Sequence, residues 1–323
     1  MAYTLTRRAA LLGCALLPGL ARAETWPTRP IRLIVPYPPG GASDITARLV
    51  APEMTTSLGQ SLIVENRGGA ASITGTQAIA TAPADGYTLG VVDTAFLVNP
   101  ALFGARLPYD TLRDFTAVSI LVRAPLALVV PASASWRDVA QLVAEAKAKP
   151  GEISFGSAGN GTAVHMAGEQ LRQAGGFTYL HVPYRGGGPM IADLLSGRVQ
   201  MAFGTVPAVA EHVRAGRLRA LAVTGNHRAP MLPDVPSMAE AGFAAVDAAL
   251  INALVGPAGL PEAVVARLAE AARAAVTNPA ARARFAELGF EPVGDTPAEA
   301  RAAFGAEIPR WEQLVRDAGI TVD

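Results

Sequence analysis

The sequence predicts an α/β protein of two lobes around a cleft. Short apolar runs alternate with longer segments of helical period, which is typical of mostly parallel sheets covered by helices on both faces. About 300 residues remain after an N-terminal export signal, more than one core usually holds. The chain crosses between its halves near residues 126–131 and 250–256, which predicts a hinge beside a cleft. We therefore expect lobe 1 over residues 24–125 plus 251–323, and lobe 2 over residues 126–250.

The chain opens with an export signal over residues 1–23. Arg7 and Arg8 precede an apolar stretch, and Ala21 and Ala23 frame a small-residue site, which predicts cleavage after Ala23. The stretch is too short for a permanent membrane-spanning helix. Paired arginines occur in both general and twin-arginine signals, so the export route stays open.

Cleavage would leave a weakly acidic chain without cysteine. The full chain has 27 basic and 27 acidic residues. The signal removes three arginines and no acid, which leaves 24 basic against 27 acidic residues and a formal charge of −3. That charge disfavours nucleic acid as a partner. Cys14 is the only cysteine and lies in the signal, so the mature chain has no disulfide or thiol nucleophile and suits an oxidising periplasm.

Apolar runs between turn signals predict the strands. The runs are Ile31–Val35, 62–64, 87–92, 126–130, 153–155, 199–203, Leu218–Val223 and a returning run at 250–255. A helix is predicted over 140–149, because Lys147 and Lys149 precede the stop signal Pro150-Gly151. Pro52 predicts a kink in the first helix or an early end to it. The last third is alanine-rich and helical, with an apolar stripe over residues 304–315.

The loop after the first strand is a candidate anion site. Its prolines at 36, 38 and 39 fix φ and withhold N–H donors, while Gly40 and Gly41 let the backbone turn and approach a ligand closely. Donors begin only where the helix begins. The first turn of a helix has unpaired N–H groups and a partial positive charge, so this loop predicts a small bound carboxylate or phosphate.

Two later loops have the same pattern. Residues 156–162, Gly-Ser-Ala-Gly-Asn-Gly-Thr, precede a helix that contains His165, and residues 204–207, Gly-Thr-Val-Pro, precede another. Pro207 suits the first position of that helix, with Thr205 or Val206 just outside it. Because ligands of α/β sheets bind beyond the carboxyl ends of the strands, we expect these loops at the cleft.

Motifs of nucleotide binding or catalysis are nearly absent. Ser157 lacks the glycine that a nucleophile elbow requires two residues earlier, since Phe155 stands there. The glycines at 156, 159 and 161 do not form G-x-G-x-x-G, and neither lysine belongs to a P-loop. The four histidines contain no pair at a spacing of three or four, so no zinc site is predicted.

Asp44 and His165 each have two interpretations. The Asp44 carboxylate, in the first turn of a helix, suits the helix dipole or nearby N–H groups. If Asp44 instead faces the cleft, the ligand must carry a donor such as an amino or hydroxyl group, because a bare carboxylate would be repelled. His165 is expected to donate to a loop carbonyl. The alternative is a hydrolase or isomerase that uses Ser157 or Asp44 with His165.

The order of the motifs resembles one family, the periplasmic substrate-binding receptors of tripartite tricarboxylate transporters, also called Bug receptors. The motifs are the segment 26–36, the Pro38-Pro39-Gly40-Gly41-x-x-Asp44 loop, Leu58-Gly59-Gln60, Val64-Glu65-Asn66-Arg67, Asp85-Gly86-Tyr87-Thr88-Leu89, Asn99-Pro100, Leu107-Pro108-Tyr109-Asp110, the 157–161 loop with His165, the segments 181–186, 218–224 and 232–236, and Pro257-Ala258-Gly259. The resemblance implies a type II-like periplasmic binding protein, a Venus flytrap of two α/β lobes joined by two crossing strands.

The resemblance also implies a function. A monomeric periplasmic receptor, neither an enzyme nor dependent on a cofactor or metal, would capture a small organic carboxylate for the membrane subunits of a tripartite transporter. Such pockets hold the carboxylate with backbone N–H groups and bridging waters instead of an arginine. This agrees with the sequence, in which Arg67 and Arg185 precede glycine-rich turns, and we interpret Arg67, Arg123 and Arg185 as solvated. The ligand-binding residues carried over by position are Pro39, Gly40, Gly41, Ser43, Asp44, Thr94, Ser157, Ala158, Gly159, Asn160, Gly161, Thr162 and Thr205.

One departure from the family pattern lies in the returning strand. The family often has a tryptophan where this chain has Leu250-Ile251-Asn252. A smaller side chain there would either widen the cleft or repack the hinge. The departure makes it unsafe to transfer a relative's ligand to this chain.

Overall fold

The computed structural model describes residues 26–69 and 72–322. The export signal, its cleavage site after Ala23 and Cys14 lie outside these ranges. The strands are β1 Ile31–Val35, β2 Leu62–Asn66, β3 Thr88–Asp93, β4 Phe115–Pro131, β5 Ser154–Ser157, β6 Leu180–Pro183, β7 Met201–Thr205, β8 Leu218–Val223, β9 Ala249–Pro257 and β10 Glu291–Pro292. The α-helices are α1 Ala42–Leu58, α2 Ile73–Ala80, α3 Thr94–Phe103, α4 Val139–Ala148, α5 Ala163–Gly175, α6 Gly187–Leu195, α7 Val206–Arg214, α8 Glu262–Thr277, α9 Pro279–Glu287 and α10 Pro297–Ala318.

The strands form one sheet with parallel pairs toward both ends. The order is β2-β1-β3-β9-β4-β7-β5-β6, with β8 and β10 also paired to β4. β1 is parallel to β2 and β3, and β5 is parallel to β6 and β7. The central strands β4 and β9 run antiparallel to their neighbours. This arrangement confirms the predicted α/β fold, with helices that follow the parallel strands.

One long strand joins the two halves of the sheet. The first part of β4, residues 115–125, pairs with β9, and residues from 126 onward pair with β7 and β8. β9 runs beside β4 and pairs with β3 on its other edge. Both predicted crossings therefore fall within these two central strands. The assignment of residues to two lobes stays a prediction.

α1 is longer than Pro52 alone allows. The helix continues through Pro52 to Leu58, so the predicted early end at the proline is wrong. Pro52 lies on the exposed face, while Val50 and Met54 are buried in the core shared with α8. Burial of that apolar face offsets the roughly 3 kcal/mol that an interior proline costs.

The C-terminal helix α10 packs across both halves of the sheet. Its predicted apolar stripe is buried, with Phe304, Ile308 and Trp311 in the same core as α3 and α5. Thr296 and Glu299 form a capping box that fixes where α10 begins. Within the described residues, no helix is both long enough and apolar enough to span a membrane.

Candidate functional site

The opening loop connects β1 to α1 and presents free amides. Gly40 has φ +88, in the left-handed region, and Gly41 caps α1 with an extended backbone and no side-chain bond. The first helical bond runs from Ile45 N to Gly41 O at 2.9 Å. No described residue accepts a hydrogen bond from the amides of residues 42–44. Three donors at the positive end of a 17-residue helix therefore remain for an anion.

The Asp44 carboxylate is occupied inside this loop. Its oxygens accept hydrogen bonds from Gly40 N at 2.9 Å, Asn66 Nδ2 at 2.9 Å and Arg48 Nε at 2.9 and 3.0 Å. Burial raises the pKa of Asp44, but the bonds from Arg48, Gly40 and Asn66 outweigh it, and the pKa lies below its ordinary value. Asp44 thus ties the loop to α1 and to the end of β2, which supports the interpretation in which it bonds nearby N–H groups.

The returning strand β9 holds the first turns of α1 and α3. The Ser43 hydroxyl donates to Asn252 Oδ1 at 3.0 Å, and Asn252 Nδ2 donates to Thr46 Oγ1 at 2.8 Å. Thr94 Oγ1 donates to the carbonyl of Ala249 and accepts from the amide of Ile251, both at 3.0 Å. Asn252 is fully buried, and its side chain joins β9 to the first turn of α1 at the position where the sequence departs from the family pattern.

The second loop connects β5 to α5 and ends in a side-chain cap. Thr162 Oγ1 donates to Gly159 O at 2.8 Å and accepts from His165 N at 3.3 Å. The amides of residues 163 and 164 donate to no described residue. Gly159 and Gly161 have φ +126 and +76, while Asn160 is exposed between them. This loop therefore offers a second helix N-terminus with open donors.

A stacked pair of histidines supports the second loop from below. Ser157 Oγ lies 2.7 Å from His181 Nε2, and the His181 ring stacks on His165 with centroids 4.2 Å apart. His165 Nδ1 accepts from Gly161 N at 3.2 Å. The expectation that His165 donates to a loop carbonyl is therefore wrong, because its Nδ1 accepts a hydrogen bond from a loop amide instead. Both rings hold the loop in place, His165 through the amide of Gly161 and His181 through the hydroxyl of Ser157.

Both histidines are kept neutral by their surroundings. Burial lowers the pKa of His165 to about 3, with smaller contributions from His181 and Arg172. Burial also lowers the pKa of His181. Ser157 is fully buried and its Oγ accepts from Gly159 N at 3.2 Å. The hydroxyl of Ser157 bonds to His181, not His165, and it is closed off from solvent, which disfavours a nucleophilic role.

The second loop lies directly against α3. A Cβ built on Gly161 would sit 2.6 Å from Leu102 Cδ1 and 3.8 Å from Val98 Cγ1. Ala158 O accepts a hydrogen bond from Gly186 N at 3.1 Å, so α6 begins beside the same loop. Thr205 is the residue before α7, half-buried and paired with Leu126 of β4. Pro39, at the tip of the opening loop, is exposed.

Two residues that the sequence analysis did not select also lie at this edge of the sheet. Tyr37 Oη donates to Asp93 Oδ1 at 2.6 Å, and the same oxygen accepts from Ala95 N at 2.9 Å. Burial raises the pKa of Asp93 to about 6, although the bonds from Tyr37 and Ala95 oppose that rise. Each residue comes just after or at the end of a strand, β1 for Tyr37 and β3 for Asp93. That position is the signal that could have identified them.

Metal chemistry has no evident place among the described residues. They contain no group of three or more histidine, cysteine, aspartate or glutamate side chains that could hold an ion. This edge of the sheet offers two sets of helix N-terminal amides and the half-buried carboxylate–phenol pair of Asp93 and Tyr37. Such an arrangement suits recognition of a small polar organic ion.

Comparison with known proteins agrees with this geometry. Residues 46–320 match the model of the tripartite tricarboxylate transporter family receptor. The Bordetella pertussis protein BugT is 38% identical over 301 residues, 92% of this chain and 91% of BugT. An R. palustris protein solved with adipate is 34% identical at a TM-score of 0.85, covering 92% of this chain and 99% of its own. MatC of Rhodopseudomonas palustris, solved with malate, is 28% identical at a TM-score of 0.81, covering 90% and 99%.

The family match begins at Thr46, within α1, and runs to residue 320, while the solved relatives named above cover 90–92% of this chain. Solved relatives of this type are described as periplasmic binding proteins, as for BugD at 30% identity and a TM-score of 0.83. These matches confirm the resemblance that the sequence motifs carried and favour a solute-binding receptor over a hydrolase. The chain belongs to the tripartite tricarboxylate transporter receptor family.

Proposed function

We propose that this chain captures a small carboxylated solute between the opening loop and the second loop. The observation that carries the proposal is the pair of helix N-termini, α1 and α5, whose first amides donate to no described residue. Each follows a parallel strand of the sheet, and Gly161 of the second loop lies against α3. The adipate and malate seen with two solved relatives support a carboxylate as the ligand class.

The ligand contacts proposed on the opening loop are backbone groups. Gly40 N is already bonded to Asp44, and the Ser43 hydroxyl to Asn252. The amides of residues 42–44 are therefore the donors we assign to the solute on this side, and the amides of residues 163 and 164 on the other. Thr94 holds the start of α3 through its bonds to β9, and contact of Thr94 or Thr205 with the solute stays a prediction.

Helix ends alone cannot supply the affinity. Each contributes about 2 kcal/mol at best when partly buried, whereas micromolar binding needs about 8 kcal/mol. Direct and water-mediated hydrogen bonds and burial of the ligand body must supply the rest. We propose that closure around the solute creates the form that the membrane subunits recognise. We also propose that the signal is cleaved after Ala23 and that the mature receptor acts in the periplasm as a monomer, without catalysis.

A ligand screen on the mature protein tests the proposal. Thermal unfolding would be followed with monocarboxylates, dicarboxylates, amino acids and aromatic acids. An acid at 100 times its Kd stabilises the fold by about 2.7 kcal/mol, so at least one acid should raise the midpoint by several degrees. No shift across the panel would contradict the receptor function.

A glycine variant locates the site. Gly41→Val should abolish the ligand-induced shift, because a branched side chain there would block the close approach of the solute to the loop backbone. The protein should stay folded, because the backbone at Gly41 is extended and the nearest atom to a new Cβ is 4.0 Å away. Gly305→Val is the control, since Gly305 lies in α10 with open space around its Cα. A normal ligand response in Gly41→Val would mean that the opening loop is not the site.

A further inference from the structure

A cluster of buried and half-buried polar groups lies beside the opening loop. It comprises Tyr37, Ser72, Asp93 and Tyr109, which we call the Asp93 cluster. Tyr37 follows β1, Ser72 precedes α2 beyond the end of β2, and Asp93 ends β3. Because β1, β2 and β3 are adjacent and parallel, these three residues share the edge of the sheet from which α1 starts.

The Asp93 cluster has more polar atoms than internal partners. Asp93 Oδ1 accepts hydrogen bonds from Tyr37 Oη and from Ala95 N. No described residue donates to Asp93 Oδ2. Ser72 is 2% exposed and Tyr109 is 6% exposed. Neither hydroxyl forms a hydrogen bond of good geometry within the described ranges, although Ser72 lies close enough to Tyr37, and Thr76 and Asn99 lie close enough to Tyr109, to lower the pKa of each phenol. A buried hydroxyl without a partner costs about 1–3 kcal/mol. Two such hydroxyls beside one carboxylate indicate a site built for a polar group from outside the chain.

The backbone at Ser72 is also held away from its preferred conformation. Its φ is +71, and among the described residues it is the only non-glycine residue with a positive φ. A left-handed conformation costs a residue with a Cβ about 1–2 kcal/mol. Strain of this kind persists where the surroundings enforce it, often at ligand sites. Here it places the Ser72 hydroxyl near the Tyr37 phenol, whose pKa is raised first by burial and then by the Asp93 charge, while Ser72 lowers it.

No cationic side chain of the described residues lies beside Asp93. Its pKa is set by its own burial, the Tyr37 phenol and backbone amides, and no arginine, lysine or histidine in this part of the chain contributes. With a pKa of about 6, roughly nine tenths of Asp93 is ionised at pH 7. Asp93 is half-buried, and a carboxylate that is partly removed from water and has no cationic partner attracts an ammonium group and repels a second carboxylate.

We propose that Asp93, together with Tyr37, selects solutes that carry an ammonium group in addition to their carboxylate, in preference to dicarboxylates of the same length. This inference rests on the proposed function and deepens it. The helix N-termini hold the carboxylate, and the Asp93 cluster receives the ammonium group through Asp93 Oδ2 and the hydroxyls of Ser72 and Tyr109. The sequence alone allowed a donor-bearing ligand at Asp44, but the Asp44 oxygens are already bonded to Gly40, Arg48 and Asn66.

Matched pairs of acids test this selectivity by calorimetry at pH 7.5. One series compares each dicarboxylate, from malonate to adipate, with the ω-amino acid of equal length. The other compares α-amino acids with the same acids lacking the amino group. We expect the ammonium member of the best-binding pair to have a Kd at least tenfold lower. Equal or tighter binding of the partner without ammonium would overturn the inference.

Asp93→Asn assigns the effect to the carboxylate. Asparagine keeps an oxygen to cap α3, so the fold should survive, and the ammonium preference should fall at least tenfold. Asp93→Ser provides a second uncharged cap if asparagine disturbs folding. Asp138→Asn is the matched control, because Asp138 caps α4 in the same way, accepting from Gln141 N at 2.8 Å, and it should leave the preference unchanged.

The outcomes separate the two proposals. Binding of acids with an unchanged preference in both Asp93 variants would overturn the role of Asp93 and leave the receptor function standing. Failure of every acid to bind the wild-type protein would overturn the receptor function itself, and the selectivity with it.

Discussion

Asp44→Asn tests whether a single carboxylate holds the opening loop in place. Asp44 is 3% exposed and receives hydrogen bonds from Gly40 N, Asn66 Nδ2 and Arg48 Nε. Asparagine has nearly the same volume, but it loses the charge, and its amide nitrogen must face at least one of these donors. The substitution therefore removes electrostatics without creating a cavity.

The expected cost follows from these bonds. A hydrogen bond to a charged group contributes about 1.5–3 kcal/mol, one between neutral groups about 1 kcal/mol, and an unpaired buried donor costs about 1–3 kcal/mol. Arg48 is half-exposed, so water replaces much of its share. We expect a loss of about 2–4 kcal/mol in the free energy of unfolding, or roughly 5–10 °C in Tm.

The pH dependence has a definite sign. The folded pKa of Asp44 lies below its ordinary value, so its stabilisation is complete above the unfolded-state pKa of about 3.9. It is lost as the pH falls through the lower folded value. The difference in stability between wild type and Asp44→Asn should be constant near neutral pH and should vanish in strong acid.

Calorimetric unfolding of both proteins between acid and neutral pH measures this difference. Glu287→Gln is the control, since Glu287 pairs with Arg284 at 2.8 Å on the same kind of helix surface but both side chains are mostly exposed. That variant should change the stability by less than about 0.5 kcal/mol. A neutral-pH Tm for Asp44→Asn as close to wild type as that of the control would refute the reasoning.

Two further predictions concern the second loop. Gly161→Ala should raise the Kd of a stabilising acid at least tenfold and cost about 1–2 kcal/mol of stability. The reason is that Gly161 has φ +76 and that a Cβ there would lie 2.6 Å from Leu102 Cδ1, so the loop must shift. A calorimetric Kd within twofold of wild type would contradict this. Because burial lowers the pKa of His165 to about 3 and also lowers that of His181, the unfolded chain binds protons first, and stability should fall as the pH drops from about 6.5 toward 3. A Tm that stays level from neutral pH to pH 4 would show that the rings are not buried as neutral groups.

Local signals in the sequence predicted much of the fold. β1 and β8 begin and end where the apolar runs do, at Ile31–Val35 and Leu218–Val223. β6 was missed because it is an edge strand of four residues, none of them buried, whose first residue, Leu180, is 58% exposed. The first part of β4 was missed because Ser119 interrupts its apolar pattern. That polar residue is satisfied by Asp295, which is 176 positions away.

The candidate site also has a part that the sequence predicts and a part that it does not. Helix N-termini after glycine-rich loops depend on neighbouring residues, so the amides of α1 and α5 could be predicted. The pairs that support them could not, because Ser157 and His181 are 24 residues apart and Tyr37 and Asp93 are 56 apart. Hydrogen bonds over such distances exist only once the sheet has placed the strand ends side by side. Asp44 stayed ambiguous in the sequence for the same reason, since Asn66 reaches it from the end of β2.

The most direct test of the central proposal is a crystal structure of the mature protein with an acid that stabilises it. We predict the ligand carboxylate within about 3 Å of the amide nitrogens of residues 42–44 or 163–164, directly or through one water. We also predict that no arginine side chain contacts that carboxylate. A carboxylate bound to an arginine, or an acid bound away from both helix N-termini, would contradict the proposal.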